Sequence, residues 1–79
     1  MARRTHATRN ADVDVEEVGR RRRAAQRALL ETVSLDSPLM RRHQANLARA
    51  GNDPAARLAV YEATVKEAGL TRRYEALVR

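Results

Sequence analysis

The sequence predicts an all-α protein: a compact three-helix unit with a short C-terminal fourth helix and a flexible basic N-terminal arm. Two pairs of a capping residue and a proline, Ser37-Pro38 and Asp53-Pro54, are typical helix starts. Gly51 and Gly69 follow the segments that these pairs open, and glycine at such a position commonly ends a helix. Apolar residues recur between these signals at helical spacing, which favours helices over strands.

The chain of 79 residues divides into an arm, residues 1–13, and a single small helical domain, residues 14–79. The first helix is expected from Asp14 to Val33, with acidic residues near its start that suit the helix dipole. Gly19 is a poor helix former, so a start at Arg20 is the alternative. The apolar stripe of this helix is Val15, Val18, Ala25, Leu29 and Val33.

The second helix is expected from Ser37 to Gly51 and the third from Asp53 to Gly69. The third segment carries apolar residues on two faces, which predicts that it is the central helix. Five large side chains at helical spacing are expected to form the core, and the predicted core is Leu29, Leu47, Leu58, Tyr61 and Val65.

A short fourth helix is expected from Thr71 to Arg79, with Thr71 as its N-cap. Leu70 is expected to reach back to Val65, the contact that accompanies a Schellman ending. The turn at Gly69 also resembles that of a helix-turn-helix, although Glu75 stands where that motif needs an apolar residue.

Composition limits the possible classes of protein. The chain has no Cys, so it forms neither disulfides nor thiolate metal sites. No apolar run reaches the length of a membrane span, and no secretory signal opens the chain. We therefore expect a cytoplasmic protein, or a component of a virion or other larger assembly. The core is rich in Ala, which predicts marginal stability and a protein partner or a homo-oligomer.

Catalytic groups are sparse, and we expect no enzyme activity, no cofactor and no metal site. His6 lies in the arm and His43 on an apolar stripe, so no helix offers two histidines at ligand spacing. Ser34 and Ser37 flank a turn without a nearby base. We expect His43 to be a hydrogen-bonded residue of the core.

The formal net charge of +6 favours a polyanionic partner, DNA or RNA. Nearly all the basic residues are Arg, a bias that GC-rich codons also produce, so their positions carry the argument. Some of these arginines lie in the basic arm, which has no acidic neighbours, and others lie on the helix face opposite the apolar stripe. The predicted phosphate contacts are Arg3, Arg4, Arg9, Arg20, Arg23 and Arg27. Arg57 and Arg79 are assigned to solubility.

The same helix face can also be interpreted as a solvent-exposed surface whose charged residues form ion pairs with residues four positions away. The expected pairs are Glu16–Arg20, Glu17–Arg21 and Arg27–Glu31, which leaves Arg23 without an acidic partner. Arg22 interrupts the apolar stripe, so Val15, Val18 and Arg22 are predicted as a contact for a protein partner. The leading hypothesis is a small basic nucleic-acid-associated accessory protein. The alternative is a protein-interaction module: a small subunit, adaptor, inhibitor, antitoxin-like partner or assembly component.

Overall fold

The structure is a computed structural model that describes the backbone of residues 2–79 and the side chains of residues 15–79. Its elements are four helices, and within residues 2–79 there is no strand. They are α1 (Ala2–Thr32), α2 (Pro38–Ala50), α3 (Pro54–Glu67) and α4 (Thr71–Val78). The predicted all-α class is confirmed. The predicted flexible arm, residues 1–13, falls on residues whose side chains the structure does not describe, so this prediction stays a prediction.

Helix α1 runs without a break through Gly19, so the alternative start at Arg20 is wrong. The buried face of α1 also differs from the predicted stripe. Ala25 and Leu29 are buried as predicted, but Ala24 and Ala28 join them, and Val15 remains 60% exposed. Alanine side chains are small, so a neighbouring helix can pack closely against them, and they can therefore form part of the buried face of α1.

The predicted starts of α2 and α3 are confirmed. The Ser37 hydroxyl accepts a hydrogen bond of 3.2 Å from the backbone N–H of Met40. The Asp53 carboxylate likewise accepts one of 3.2 Å from the N–H of Ala55. In each helix a proline follows the cap at the first helical position, where its missing N–H costs nothing.

The predicted glycine stops are also confirmed. Gly51 and Gly69 adopt φ values of 64° and 75°, a region that is costly for any side chain with a Cβ. After α3, the N–H of Gly69 donates to the carbonyl of Lys66 at 3.1 Å, and that of Leu70 to Val65 at 2.9 Å. This pair of bonds is the Schellman ending that the sequence predicts.

The predicted N-cap of α4 is wrong. Leu70 occupies the cap position, without a side-chain hydrogen bond, and Thr71 is already the first residue of the helix. The Schellman turn leads directly into α4, so no separate capping residue intervenes. Helix α4 packs chiefly against α1, and Glu75 is exposed, so the arrangement departs from a helix-turn-helix.

Helix α3 is central, as predicted, because it packs against each of the other three helices. Among the described residues, α2 packs on α3 alone, whereas α1 packs on both α3 and α4. The five predicted core residues are all buried, and Met40 and Tyr74 are buried with them. Seven large apolar side chains and three alanines therefore make up the buried apolar core.

His43 is a buried, hydrogen-bonded core residue, as predicted. It is 2% exposed, and its ring meets the edge of Tyr61 at a centroid distance of 4.8 Å. Its Nδ1 lies 2.7 Å from the Thr64 hydroxyl, which itself donates to the carbonyl of Val60 at 2.9 Å. Because the hydroxyl proton is used there, Nδ1 of His43 is the donor in the first bond.

Candidate nucleic-acid interface

Three of the six predicted phosphate-binding residues lie on α1 within the described part of the chain: Arg20, Arg23 and Arg27. All three are exposed. The other three, Arg3, Arg4 and Arg9, lie outside the residues whose side chains are described. The interface is therefore built from the arginines of α1 and from what surrounds them.

Arg20 joins α1 to the end of α4. Its Nη2 donates to a carboxylate oxygen of Glu17 at 2.6 Å, and its Nη1 donates to the carbonyl of Val78 at 2.8 Å. The predicted pair with Glu16 is wrong, because Arg20 turns toward α4 and Glu17 lies on that side of the helix. The free carbonyls at a helix C-terminus attract a cation, and Arg20 supplies it.

Glu17 holds two arginines. Arg21 donates to its second carboxylate oxygen at 2.8 Å, so the predicted Glu17–Arg21 pair is confirmed. Hydrogen bonds from Arg20 and then Arg21 lower the pKa of the Glu17 carboxyl below its ordinary value. Arg21 also lies 4.0 Å from Glu62, which accepts a hydrogen bond of 2.5 Å from the hydroxyl of Tyr74.

Glu31 is shared in the same way. The predicted pair with Arg27 is confirmed at 3.3 Å, but Arg73 of α4 donates to both carboxylate oxygens at 3.0 and 3.1 Å. The Arg73 hydrogen bond is the main reason that the pKa of Glu31 is lowered. Along the α1–α4 edge, four arginines thus face Glu17, Glu31 and, at 4.0 Å from Arg21, Glu62, so the arginines exceed their paired carboxylates by one.

Arg23 has no acidic partner within 4.0 Å among the described residues, as predicted. Its guanidinium lies over Gly19, because a Cβ added to that glycine would stand 3.3 Å from Nη1 of Arg23. Glu16 likewise has no salt bridge to another described residue, and both side chains are exposed.

The three residues predicted to contact a protein partner differ in exposure. Val15 is exposed, whereas Val18 and Arg22 are half-buried. Arg22 donates to the side-chain oxygen of the exposed Gln26 at 3.4 Å. Whether these residues bind a partner stays a prediction.

Sequence reasoning missed the role of Arg57. It is half-buried, and its Nη1 donates to the carbonyls of Gly51 at 3.0 Å and Leu47 at 3.4 Å. These carbonyls end α2, so Arg57 closes that helix, and its assignment to solubility is wrong. The sequence signal for this contact was Gly51, which ends α2 six residues before Arg57.

An exposed apolar patch was missed as well. Leu30 is 54% exposed and Leu35 is 65% exposed, beside the connection from α1 to α2. Both line a cleft of about 50 Å³ that reaches Met40 and His43 between these helices. The signal was the position of Leu30 on the helix, about 100° around the axis from Leu29 and on the side away from Ala28.

Among residues 15–79 there is no group of three His, Cys, Asp or Glu side chains that could hold a metal ion. No described helix has the length and apolar character to cross a membrane. Comparison with known protein families, curated proteins and solved structures finds no match for this chain.

Proposed function

We propose that this protein is a small, non-enzymatic accessory protein that binds the phosphate backbone of DNA or RNA through its N-terminal arm and α1. The observation that carries the proposal is the shared pairing on α1. Glu17 holds Arg20 and Arg21, and Glu31 is likewise shared by two arginines. Each carboxylate neutralises one cation, and even with Glu62 beside Arg21 the four arginines of this edge exceed their paired carboxylates by one.

The geometry of these pairs also suits exchange for phosphate. The paired arginines of α1 are exposed, and exposed ion pairs contribute little to stability because water screens them. A guanidinium has five N–H donors, so an arginine that holds a glutamate keeps donors for a phosphate oxygen. Arg27 can leave Glu31 altogether, because Arg73 already bonds both oxygens of that carboxylate.

The experiment is a titration of the full chain with random-sequence duplex DNA and with single-stranded RNA, followed by fluorescence anisotropy at several salt concentrations. If about six phosphates are neutralised, the slope of log affinity against log salt is about −5 for duplex DNA and about −4 for single-stranded RNA. Replacing three arginines of α1 by Gln, as Arg20→Gln, Arg23→Gln and Arg27→Gln, lowers affinity for all sequences alike. It reduces the slope by nearly three units on duplex DNA, about 0.9 for each lost contact, and by about two units on single-stranded RNA.

A matched control removes the same charge elsewhere. Arg41→Gln, Arg49→Gln and Arg72→Gln alter exposed arginines that have no ion pair within the described residues. The control leaves the slope near its parent value. Equal losses in the two triple variants, or no binding at low salt, would rule out the proposed interface.

The apolar patch at Leu30 and Leu35 favours a second candidate function, a protein-interaction module. Two large apolar side chains that are more than half exposed beside a cleft are typical of a contact for another protein. The discriminating experiment is co-purification at high salt after nuclease treatment. A single protein retained by the parent chain and lost with Leu30→Ser and Leu35→Ser supports this function instead.

A further inference from the structure

Glycine at position 19 lowers the stability of helix α1. It lies inside α1, and glycine is among the poorest helix formers because it loses the most backbone freedom on folding. Its φ is negative, so the helix itself does not need glycine. A Cβ at this position would meet only the tip of Arg23, which is flexible and free to move. Nothing within the described fold therefore requires a residue without a side chain here.

The surface around Gly19 carries two acids, two bases and one apolar residue. Val15 lies one turn before it and Arg23 one turn after it, and Glu16 lies on the same side of the helix. These four residues, which we call the Gly19 face, line a shallow depression on α1 together with Glu17 and Arg20, which already pair with each other. Glu16 and Arg23 are both exposed, and neither has an ion pair with another described residue.

We propose that the Gly19 face binds a second copy of this chain, with the two α1 helices crossing antiparallel at Gly19. In such a two-fold arrangement, the residue three or four positions before the crossing point meets the residue three or four positions after it in the other copy. Glu16 of each chain therefore faces Arg23 of the other, and two ion pairs form. Once Arg23 turns away from Gly19 toward Glu16 of the other copy, the absence of a side chain at Gly19 allows the helix axes to approach closely.

The occupant is a second copy because the charges of the Gly19 face are self-complementary. A uniformly acidic protein surface would be repelled by Glu16, and a uniformly basic one would be repelled by Arg23. A second copy pairs both charges at once, and the aliphatic stem of Arg23 covers the exposed Val15 of the partner copy. The inference does not rest on nucleic-acid binding. Arg23 can serve both, because one carboxylate occupies only two of its five N–H donors.

Sedimentation equilibrium of the purified, nuclease-treated chain tests the proposal without any nucleic acid. The parent chain is expected at twice the chain mass of 8.9 kDa at high concentration. Glu16→Arg places like charges opposite Arg23 of the other copy, and Arg23→Glu does the same with opposite sign, so each variant alone is expected to be monomeric. An equimolar mixture of the two restores both ion pairs and is expected to form a heterodimer.

Controls and a third variant separate this surface from general effects of charge. Glu75→Arg and Arg49→Glu make the same charge changes at exposed positions on α4 and α2, and both are expected to dimerise like the parent. Gly19→Ala adds a methyl group at the crossing point and is expected to weaken the dimer at least tenfold while the monomer melts higher. The proposal is overturned by a parent chain that stays monomeric up to about 1 mM. It is equally overturned by variants that dimerise like the parent, or by a mixture that remains monomeric.

Discussion

Leu29 and Leu30 are adjacent on α1 and offer a direct test of the packing. Leu29 is 1% exposed and lies within the core cluster, whereas Leu30 is 54% exposed. Truncating a buried leucine to alanine removes its transfer free energy and leaves a cavity, at a cost of about 2–5 kcal/mol. The same truncation at Leu30 removes few contacts and is expected to cost less than about 1 kcal/mol.

The expected loss at Leu29 is large relative to the whole fold. At about 0.05–0.15 kcal/mol per residue, a chain of this length has a free energy of unfolding of about 4–12 kcal/mol. The core has only seven large apolar side chains, which places this protein toward the lower end of that range. Leu29→Ala therefore removes a large share of the total stability.

Thermal melts followed by circular dichroism at 222 nm measure both variants. In a domain of this size, each 1 kcal/mol lowers the melting temperature by about 4–8 °C, so Leu29→Ala is expected to melt at least about 8 °C below the parent. Leu30→Ala is expected within a few degrees of it. Two variants that melt alike would show that the buried face of α1 has been assigned to the wrong side of the helix.

Three further predictions follow from individual contacts. Arg57→Ala removes the donor to the carbonyl of Gly51 and is expected to lower the free energy of unfolding by about 1 kcal/mol in urea titrations, with Arg49→Ala as the neutral control. Burial lowers the pKa of His43 below its ordinary 6.5, so the unfolded chain takes up the proton first. Stability is therefore expected to fall as the pH drops through about 6.5, and His43→Asn should lose most of this dependence; an unchanged pH profile in that variant would contradict the assignment. Gly19→Ala is expected to raise the free energy of unfolding of the monomer by about 0.5–1 kcal/mol in dilute solution, and a loss of stability would mean that the fold requires the glycine.

The helix boundaries could be predicted because their signals are local. Ser37-Pro38 and Asp53-Pro54 satisfy the first N–H groups of a helix from within a few residues, and Gly51 and Gly69 act in the same short range. The failure at Thr71 is also local. The Schellman turn after α3 and the start of α4 overlap, so a capping side chain has no place between them.

The partners of the charged residues could not be predicted, because they depend on tertiary structure. Arg20 pairs with Glu17 rather than Glu16 since the end of α4 lies on that side of α1. Arg73 reaches Glu31 across 42 residues of sequence, and Arg57 reaches the end of α2. Spacing along one helix contains none of this information.

The orientation of α1 was predicted only in part for a related reason. The predicted stripe rests mainly on large apolar residues, and it places Val15 toward the core. In the structure Ala24 and Ala28 are buried, and α1 packs against α3 and α4. A hydrophobic pattern gives alanine little weight, although in a helix interface its small size is what allows close packing.

The salt dependence of nucleic-acid affinity tests the proposed function most directly. We predict that the parent chain binds random duplex DNA with a log–log slope of about −5, or single-stranded RNA with a slope of about −4. Replacing Arg20, Arg23 and Arg27 by Gln is expected to reduce the slope by nearly three units on duplex DNA, or by about two on single-stranded RNA, while the helical circular dichroism spectrum is unchanged. A slope near zero in the parent chain, or an unchanged slope in the triple variant, would contradict the proposed interface.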